Sequence, residues 1–295
     1  MTGRFRRYLR GSYPPVRSAL FAACWAVGVT GLFAVVDPHR GTWRPDAGTA
    51  LGALTIALDM LLMRIVDDIR DLPYDRVHNP RRPLAAGVVS SSELMRWYAL
   101  IAVLLLVLNA GRGAAALVLA LQLGYALLLL AADRWLRWPD PSRLVLTLVL
   151  SSPVQLLLHL YLYLNYVRSA GHPFDGSFWL ALVIVAVVTL HLELAKKITR
   201  APAPGERSYV TTFGVAGTVG AAMVSAFAAA GLLLLAARPA TAWTLLPVAP
   251  LALPAVAWWR FRRPATVRWD ARFALWFVLS TFVAWAVTGV LGTAG

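Results

Sequence analysis

The chain has 295 residues, 59% of them hydrophobic and 14% charged, whereas a soluble domain of this length carries about a quarter charged residues. With its positive mean hydropathy, this excludes an ordinary soluble domain and points to an integral membrane protein. The net charge of +14 would suit nucleic acid, but the basic residues sit in short loops between apolar runs. They are assigned to membrane orientation, and no nucleic-acid partner is expected.

The chain opens on a basic arm, 1–16, in which Phe5, Tyr8 and Leu9 alternate with arginines. This pattern predicts an interfacial amphipathic helix on anionic lipid. No A-x-A-like cleavage site follows the first apolar run, so no cleavable signal peptide is expected. Cys24 is the single cysteine, which excludes an internal disulfide and a cysteine-based metal site. A bilayer core of about 30 Å needs roughly 20 apolar residues per helix. Nine segments qualify, at approximately 17–36, 47–66, 94–109, 113–132, 144–164, 177–195, 212–237, 242–259 and 271–293, separated by turn-rich or charged pieces such as 38–44, 139–143, 171–176 and 260–270. Low-complexity linkers are absent, so 1–295 reads as one all-α, polytopic transmembrane domain. With the N-terminus inside, all but five of the 28 basic residues fall in inner loops and adjoining helix ends; Arg40, Arg44, Arg112, Arg168 and Arg238 fall outside. The asymmetry predicts a multi-pass protein of the inner membrane, N-terminus cytoplasmic and C-terminus outside.

The stretch 64–87, RIVDDIRDLPYDRVHNPRRPLAAG, ends the second apolar run with Asp67, Asp68, Asp71 and Asp75. Asp67, Asp71 and Asp75 are spaced i, i+4, i+8 and share one helix face, with Asp68 beside them. Like charges at this spacing repel, and a helix C-terminus is the wrong pole for anions. Bound Mg²⁺, shared with a phosphate-bearing ligand, relieves both problems. The plainer alternative is a solvated acidic end paired with Arg64, Arg70 and Arg76.

Asp67-Asp68-Ile69-Arg70-Asp71-Leu72-Pro73-Tyr74-Asp75 resembles the N/D-D-x-x-D-x-x-x-D motif of the UbiA superfamily of intramembrane prenyltransferases. The continuation from Asn79 and Pro80 through Arg82, Pro83 and Leu84 to Gly87 resembles the N-x-R-P-L-x-x-G segment that follows it there. The resemblance implies nine helices around a central cavity with a cytoplasmic cap, and Mg²⁺-assisted loss of diphosphate from an isoprenyl diphosphate of the geranyl, farnesyl or geranylgeranyl class. It implies that Asp67, Asp68, Asp71 and Asp75 ligate Mg²⁺ directly or through water. Arg82 would order the loop or touch phosphate, and Arg64 is a further candidate diphosphate contact.

The second motif of that family departs here. In 191–214, HLELAKKITRAPAPGERSYVTTFG, Gly205-Glu206-Arg207 resembles the family's Gly-Asp-Arg, and Thr212 and Gly214 fall where its next helix begins. The upstream aspartate positions hold Thr199 and Pro202. Glu193, Lys196, Lys197 and Arg200 stand instead, roughly a helical turn apart. Glu193 is a candidate metal ligand, as is Glu206, and Lys196, Lys197 and Arg200 are candidate diphosphate contacts. The alternatives are a membrane-edge ion pair for Glu193 and Lys197, with snorkelling lysines, and a simple loop charge for Glu206.

Within the fifth apolar run, Ser151 or Ser152, Gln155, His159 and Tyr163 step along one face, as cavity lining or as interhelical hydrogen bonds. His159 is a candidate base, though such a histidine is more commonly structural, and Asp59 is open between site and structure. His191 reads as structural, and Tyr125 is ambiguous. Trp135, Trp138, Trp258, Trp259 and Trp269 read as an interfacial belt. The expected activity is prenyl transfer to a small-molecule acceptor. A UbiA-type terpene cyclase, which needs no acceptor, is the alternative. A transporter with helices broken at Pro153 and Pro247 is a more distant one.

Overall fold

The computed structural model describes residues 2–39, 42–140, 143–237 and 242–292. Arg40 and Arg238 of the predicted outer loops, positions 141–142 of one predicted turn and the last residue of the ninth predicted segment lie outside them. The described residues are all-α, with one isolated antiparallel bridge between Thr199 and Arg268. In chain order the helices are α1 (Thr2–Ser12), α2 (Pro15–Val36), α3 (Ala47–Arg70), α4 (Leu72–His78), α5 (Ser91–Asn109), α6 (Ala114–Ala131), α7 (Leu144–Ala170), α8 (Ser177–Ala195), α9 (Val210–Ala236), α10 (Ala252–Phe261) and α11 (Ala271–Gly292).

Among the described residues eight helices are long and apolar enough to cross a membrane. At 1.5 Å per residue, about 20 residues span the hydrocarbon core. The eighth predicted segment takes another form. It begins as the 3₁₀ stretch Ala242–Leu251 and becomes α-helical only in α10. Pro247 and Pro250 inside the first part cannot donate backbone hydrogen bonds, which favours the tighter winding. The chain is a multi-pass integral membrane protein.

The helices gather into two compact units. The first comprises 1–26, 47–141 and 149–165. In it α3 packs on α5 and α6. A buried polar lock joins three helices: Asn109 donates to Thr55 at 3.0 Å, and the Tyr161 hydroxyl lies 2.8 Å from Asn109 Oδ1. Pro153, inside α7, leaves the Val149 carbonyl without its usual donor. The Ser152 hydroxyl fills that place at 2.8 Å.

The second unit comprises 27–46, 142–148 and 166–295. Here α8 packs on α9 and α11, and the end of α2 meets α11. That last contact depends on small residues. A Cβ on Gly31 would stand 2.6 Å from the Trp285 carbonyl oxygen, and one on Gly289 would stand 2.8 Å from Gly31 Cα. In lipid, helices gain little from apolar burial, so such close backbone approach supplies much of their association. Gly31→Leu should therefore destabilise the protein by about 1–3 kcal/mol, seen as a lower thermal unfolding midpoint in detergent. Gly220→Leu, where a Cβ meets open space, should leave the midpoint nearly unchanged.

Candidate functional site

The acidic stretch sits where α3 breaks. Asp71 directly precedes α4, and Pro73 lies in its first turn. The i+4 backbone ladder nevertheless continues, from Asp71 N to the Asp67 carbonyl and from Asp75 N to the Asp71 carbonyl, both at 2.8 Å. Asp67, Asp71 and Asp75 therefore keep the shared face that their spacing predicts.

The four carboxylates are not equivalent. Asp68 is 3% exposed and Asp75 4%, against 49% for Asp67 and 23% for Asp71. Buried carboxylates need partners, and these have them. Arg64 Nη2 lies 2.6 Å from Asp68 Oδ1. Arg82 donates to Asp75 Oδ2 at 2.6 Å, while Asn79 donates to Asp75 Oδ1 at 2.8 Å. The Asn79 to Arg82 segment thus closes on one aspartate. Its turn is completed by Arg82 N to the Asn79 carbonyl and Ala86 N to the Arg82 carbonyl. Arg70 reaches across to Asp67 at 2.9 Å and is 3.8 Å from Asp71.

One face of the arm packs on protein. Tyr8 is fully buried and donates to Asp68 Oδ2 at 3.0 Å. Phe5 stacks on Trp97 with centroids 4.2 Å apart, and Arg4 donates to the Val88 carbonyl at 3.0 Å. Arg6, Arg7 and Arg10 remain exposed. The amphipathic pattern is real: the aromatic face docks on protein through Tyr8 and Phe5, and the arginine face stays exposed. Burial, and then the adjacent Asp68 charge, push the Tyr8 phenol upward. The signal was an aromatic alternation that suits lipid and protein equally.

In the second motif Glu193 is enclosed by its neighbours. It pairs with Lys196 and, at 2.7 Å, with Lys197, and it accepts from the Tyr209 hydroxyl at 3.1 Å. Lys197 also lies 4.9 Å from the centre of the Tyr209 ring. Arg200 donates to the carbonyls of Phe261 at 2.8 Å and Thr266 at 3.2 Å, and its guanidinium covers the Phe261 ring. Glu206 takes a bidentate pair from Arg268, at 2.7 and 2.9 Å, and a bond from Ala203 N. Arg200 and Glu206 therefore join the loop after α8 to the segment between α10 and α11. Gly214 stands at φ +69°, so the run Val210–Ala236 turns there before its main helix begins.

No protein-family model and no curated protein matches the sequence. Solved structures do. A UbiA homologue from Aeropyrum pernix K1 in its apo form aligns at TM-score 0.64 and 17% identity over 92% of this chain and 97% of that one. A UbiA homologue from Archaeoglobus fulgidus bound to DMAPP and Mg²⁺ aligns at 0.60 and 16%, over 96% and 98%. A structure of digeranylgeranylglyceryl phosphate synthase aligns at 0.54 and 15%, over 98% and 99%. The chain has the UbiA fold.

Within this UbiA fold, the polar face of α7 is partly structural. His159 is fully buried and its Nε2 accepts from the Trp25 indole at 3.1 Å, which places a proton on Nδ1. Tyr163 is fully buried and Gln155 half-buried. Tyr125 donates to the Leu150 carbonyl at 2.7 Å, and His191 lies 2.7 Å from the Ala222 carbonyl. Asp59 is fully buried, with no hydrogen bond to either oxygen among the described residues. Trp135, Trp138, Trp258 and Trp259 are exposed as a belt requires, whereas Trp269 is buried against Phe261.

Two outcomes test this geometry. Arg82→Ala should cost about 2–3 kcal/mol, because it strips a buried carboxylate of its charged partner, read as a lower unfolding midpoint. Tyr8→Phe should loosen α1 by about 1–2 kcal/mol, so that trypsin cuts faster at Arg6, Arg7 and Arg10.

Proposed function

We propose that this protein is a Mg²⁺-dependent intramembrane prenyltransferase that ionises an isoprenyl diphosphate and transfers the prenyl group to an acceptor. The observation that carries the reading is the division among the four carboxylates. Asp68 and Asp75 are buried against arginines, while Asp67 and Asp71, one helical turn apart beside Arg70, are the more exposed pair. That donor set fits Mg²⁺, which usually takes one or two carboxylates, shares phosphate oxygens and keeps several waters. When bound, Mg²⁺ supplies charge neutralisation for the departing diphosphate. One relative of the same fold is bound to DMAPP and Mg²⁺, which supports this assignment.

Asp67 and Asp71 are the proposed primary metal ligands. Asp68 and Asp75 hold the loop through Arg64, Arg82, Asn79 and Tyr8, and the exposed part of the Arg82 guanidinium offers donors to a phosphate oxygen. In the second motif Lys196, 45% exposed, is the foremost candidate anion contact, with Lys197 behind it. Glu193 then positions both lysines, and Arg200 and Glu206 hold the loop. In the reaction the allylic carbon–oxygen bond breaks, the electron pair leaves with diphosphate, and the acceptor nucleophile bonds to the allylic carbon and loses a proton. An apolar surround keeps water from capturing the cation. The proposed setting is the inner membrane, with the N-terminus cytoplasmic.

The basic second motif, where the family usually carries aspartates, keeps terpene cyclisation in view as the second reading. Purified protein incubated with geranyl, farnesyl and geranylgeranyl diphosphates and Mg²⁺, with and without lipid extract, separates the two. Prenylated acceptor is expected; cyclic hydrocarbon formed without any acceptor would identify a cyclase instead. Asp67→Ala and Asp71→Ala should each lower Mg²⁺-dependent diphosphate release at least about 100-fold. Release that survives both substitutions rules out each reading.

A further inference from the structure

We propose that Asp37, His39, His172 and Asp175 form a second metal centre, distinct from the acidic motif, that takes one divalent transition-metal ion of the zinc class. Asp37 directly follows α2, and His39 lies two residues on. His172 follows Gly171, which ends α7, and Asp175 precedes α8. The four candidate ligand atoms all lie within 4.8 Å of one another. His39 Nδ1 is 2.9 Å from Asp37 Oδ1 and 3.5 Å from Asp175 Oδ2, and His172 Nε2 is 2.8 Å from Asp37 Oδ2. Ligands bound at about 2.0–2.2 Å to one ion, at angles of about 90–110°, stand about 2.8–3.6 Å apart. The His39–Asp37, His39–Asp175 and His172–Asp37 pairs already have that spacing, and the widest separation in the group, within 4.8 Å, needs a small inward turn of a side chain.

Hydrogen bonding argues for a cation here. The Pro173 carbonyl, 2.9 Å from His172 Nδ1, can only accept, so Nδ1 carries a proton. Nε2 then faces a carboxylate oxygen that also only accepts, and that oxygen already takes the Tyr166 hydroxyl at 2.6 Å. A positive centre has to satisfy this contact, either a second imidazole proton or a metal ion. The His39 and His172 rings stack 4.4 Å apart at 21°. One divalent ion also balances the two carboxylates.

The surrounding groups orient the ligands as metal sites require. Pro173 fixes the His172 tautomer that leaves Nε2 for the ion. The His39 and Ser177 backbone N–H groups hold Asp37 Oδ1 and Asp175 Oδ1, at 2.8 and 2.7 Å, and Asp175 Oδ2 turns towards the two histidines. Two imidazoles with two carboxylates suit zinc-class ions and not Mg²⁺ or Ca²⁺, which prefer oxygen throughout. His39, 48% exposed, leaves the site open on one side. The ion would clamp the loop after α2 to the loop between α7 and α8.

The test uses full-length protein in detergent, stripped with chelator, on an Asp67→Asn/Asp71→Asn background that removes the accessible carboxylates of the acidic motif. Titration with Zn²⁺ by calorimetry, and with Co²⁺ by visible ligand-field absorption, should show one ion per chain and a raised unfolding midpoint. His39→Ala, at a half-exposed position that should not disturb folding, and His172→Asn should each weaken binding at least about tenfold and lose the Co²⁺ bands. Excess Mg²⁺ should not displace the ion. The proposal fails if stripped protein binds no Zn²⁺, or if the histidine variants bind it as the parent does; the four residues are then a proton-held hydrogen-bond network.

Discussion

A carboxylate at the end of an apolar helix is tolerated only with a positive charge beside it, and the acidic stretch is built on that requirement. Asp68 and Asp75 are buried where water cannot solvate them, so Arg64, one turn back on α3, and Arg82, across the loop, must be near. Meeting that need shapes the segment. Arg82 can reach Asp75 only if the chain folds back after α4, and Asn79 strengthens the fold by bonding the same carboxylate. The second oxygen of Asp68 takes the Tyr8 hydroxyl of the arm. With two acids fixed in this way, Asp67 and Asp71 are the more exposed pair, one turn apart beside Arg70.

The loop after α8 meets the same requirement with the signs reversed. It carries more base than acid, and each acid is matched locally: Glu193 by Lys196, Lys197 and Tyr209, and Glu206 by Arg268. Arg200 bonds two carbonyls, at the end of α10 and beyond, in place of a carboxylate. A guanidinium can do this because its donors fan out in a plane, which a lysine ammonium cannot imitate. Arg200 therefore keeps an uncompensated charge, whereas Lys196 and Lys197 share that of Glu193.

Much of this was legible in the sequence, because its physics is periodic or compositional. Apolar runs of about 20 residues locate the spans, and the i, i+4 spacing of Asp67, Asp71 and Asp75 survives even across the α3–α4 break. What was not legible depends on partners distant in the chain. Nothing in the spacing of Tyr8 shows that it will meet Asp68, and nothing local to Arg200 shows that it will close on Phe261 and Thr266. Trp269 looks like a belt residue by position, yet it is buried against Phe261. The eighth apolar segment has the right composition for a span, but Pro247 and Pro250 change its winding. The resemblance to the UbiA superfamily, drawn from short motifs, agrees with the fold although overall identity to the solved structures is only 15–17%.

The same physical problem recurs at a third place, and there the choice of cation matters. Asp37 is as deeply buried as Asp68 and, like it, takes a tyrosine hydroxyl, yet imidazoles stand beside it where Asp68 has guanidinium groups. An arginine beside an acid closes the site, because it has donors only and its charge is permanent. A histidine can surrender its proton and turn a lone pair to the same point in space. Loops meant only to be tied together would be served as well by Arg–Asp pairs, which this chain uses freely elsewhere. Two stacked histidines facing two carboxylates keep a position that a metal ion can fill. Contact between the loops that follow the first and fifth spans also requires an even number of crossings between them. The four intervening spans, Ala47–Arg70, Ser91–Arg112, Ala114–Leu136 and Leu144–Ala170, meet that condition.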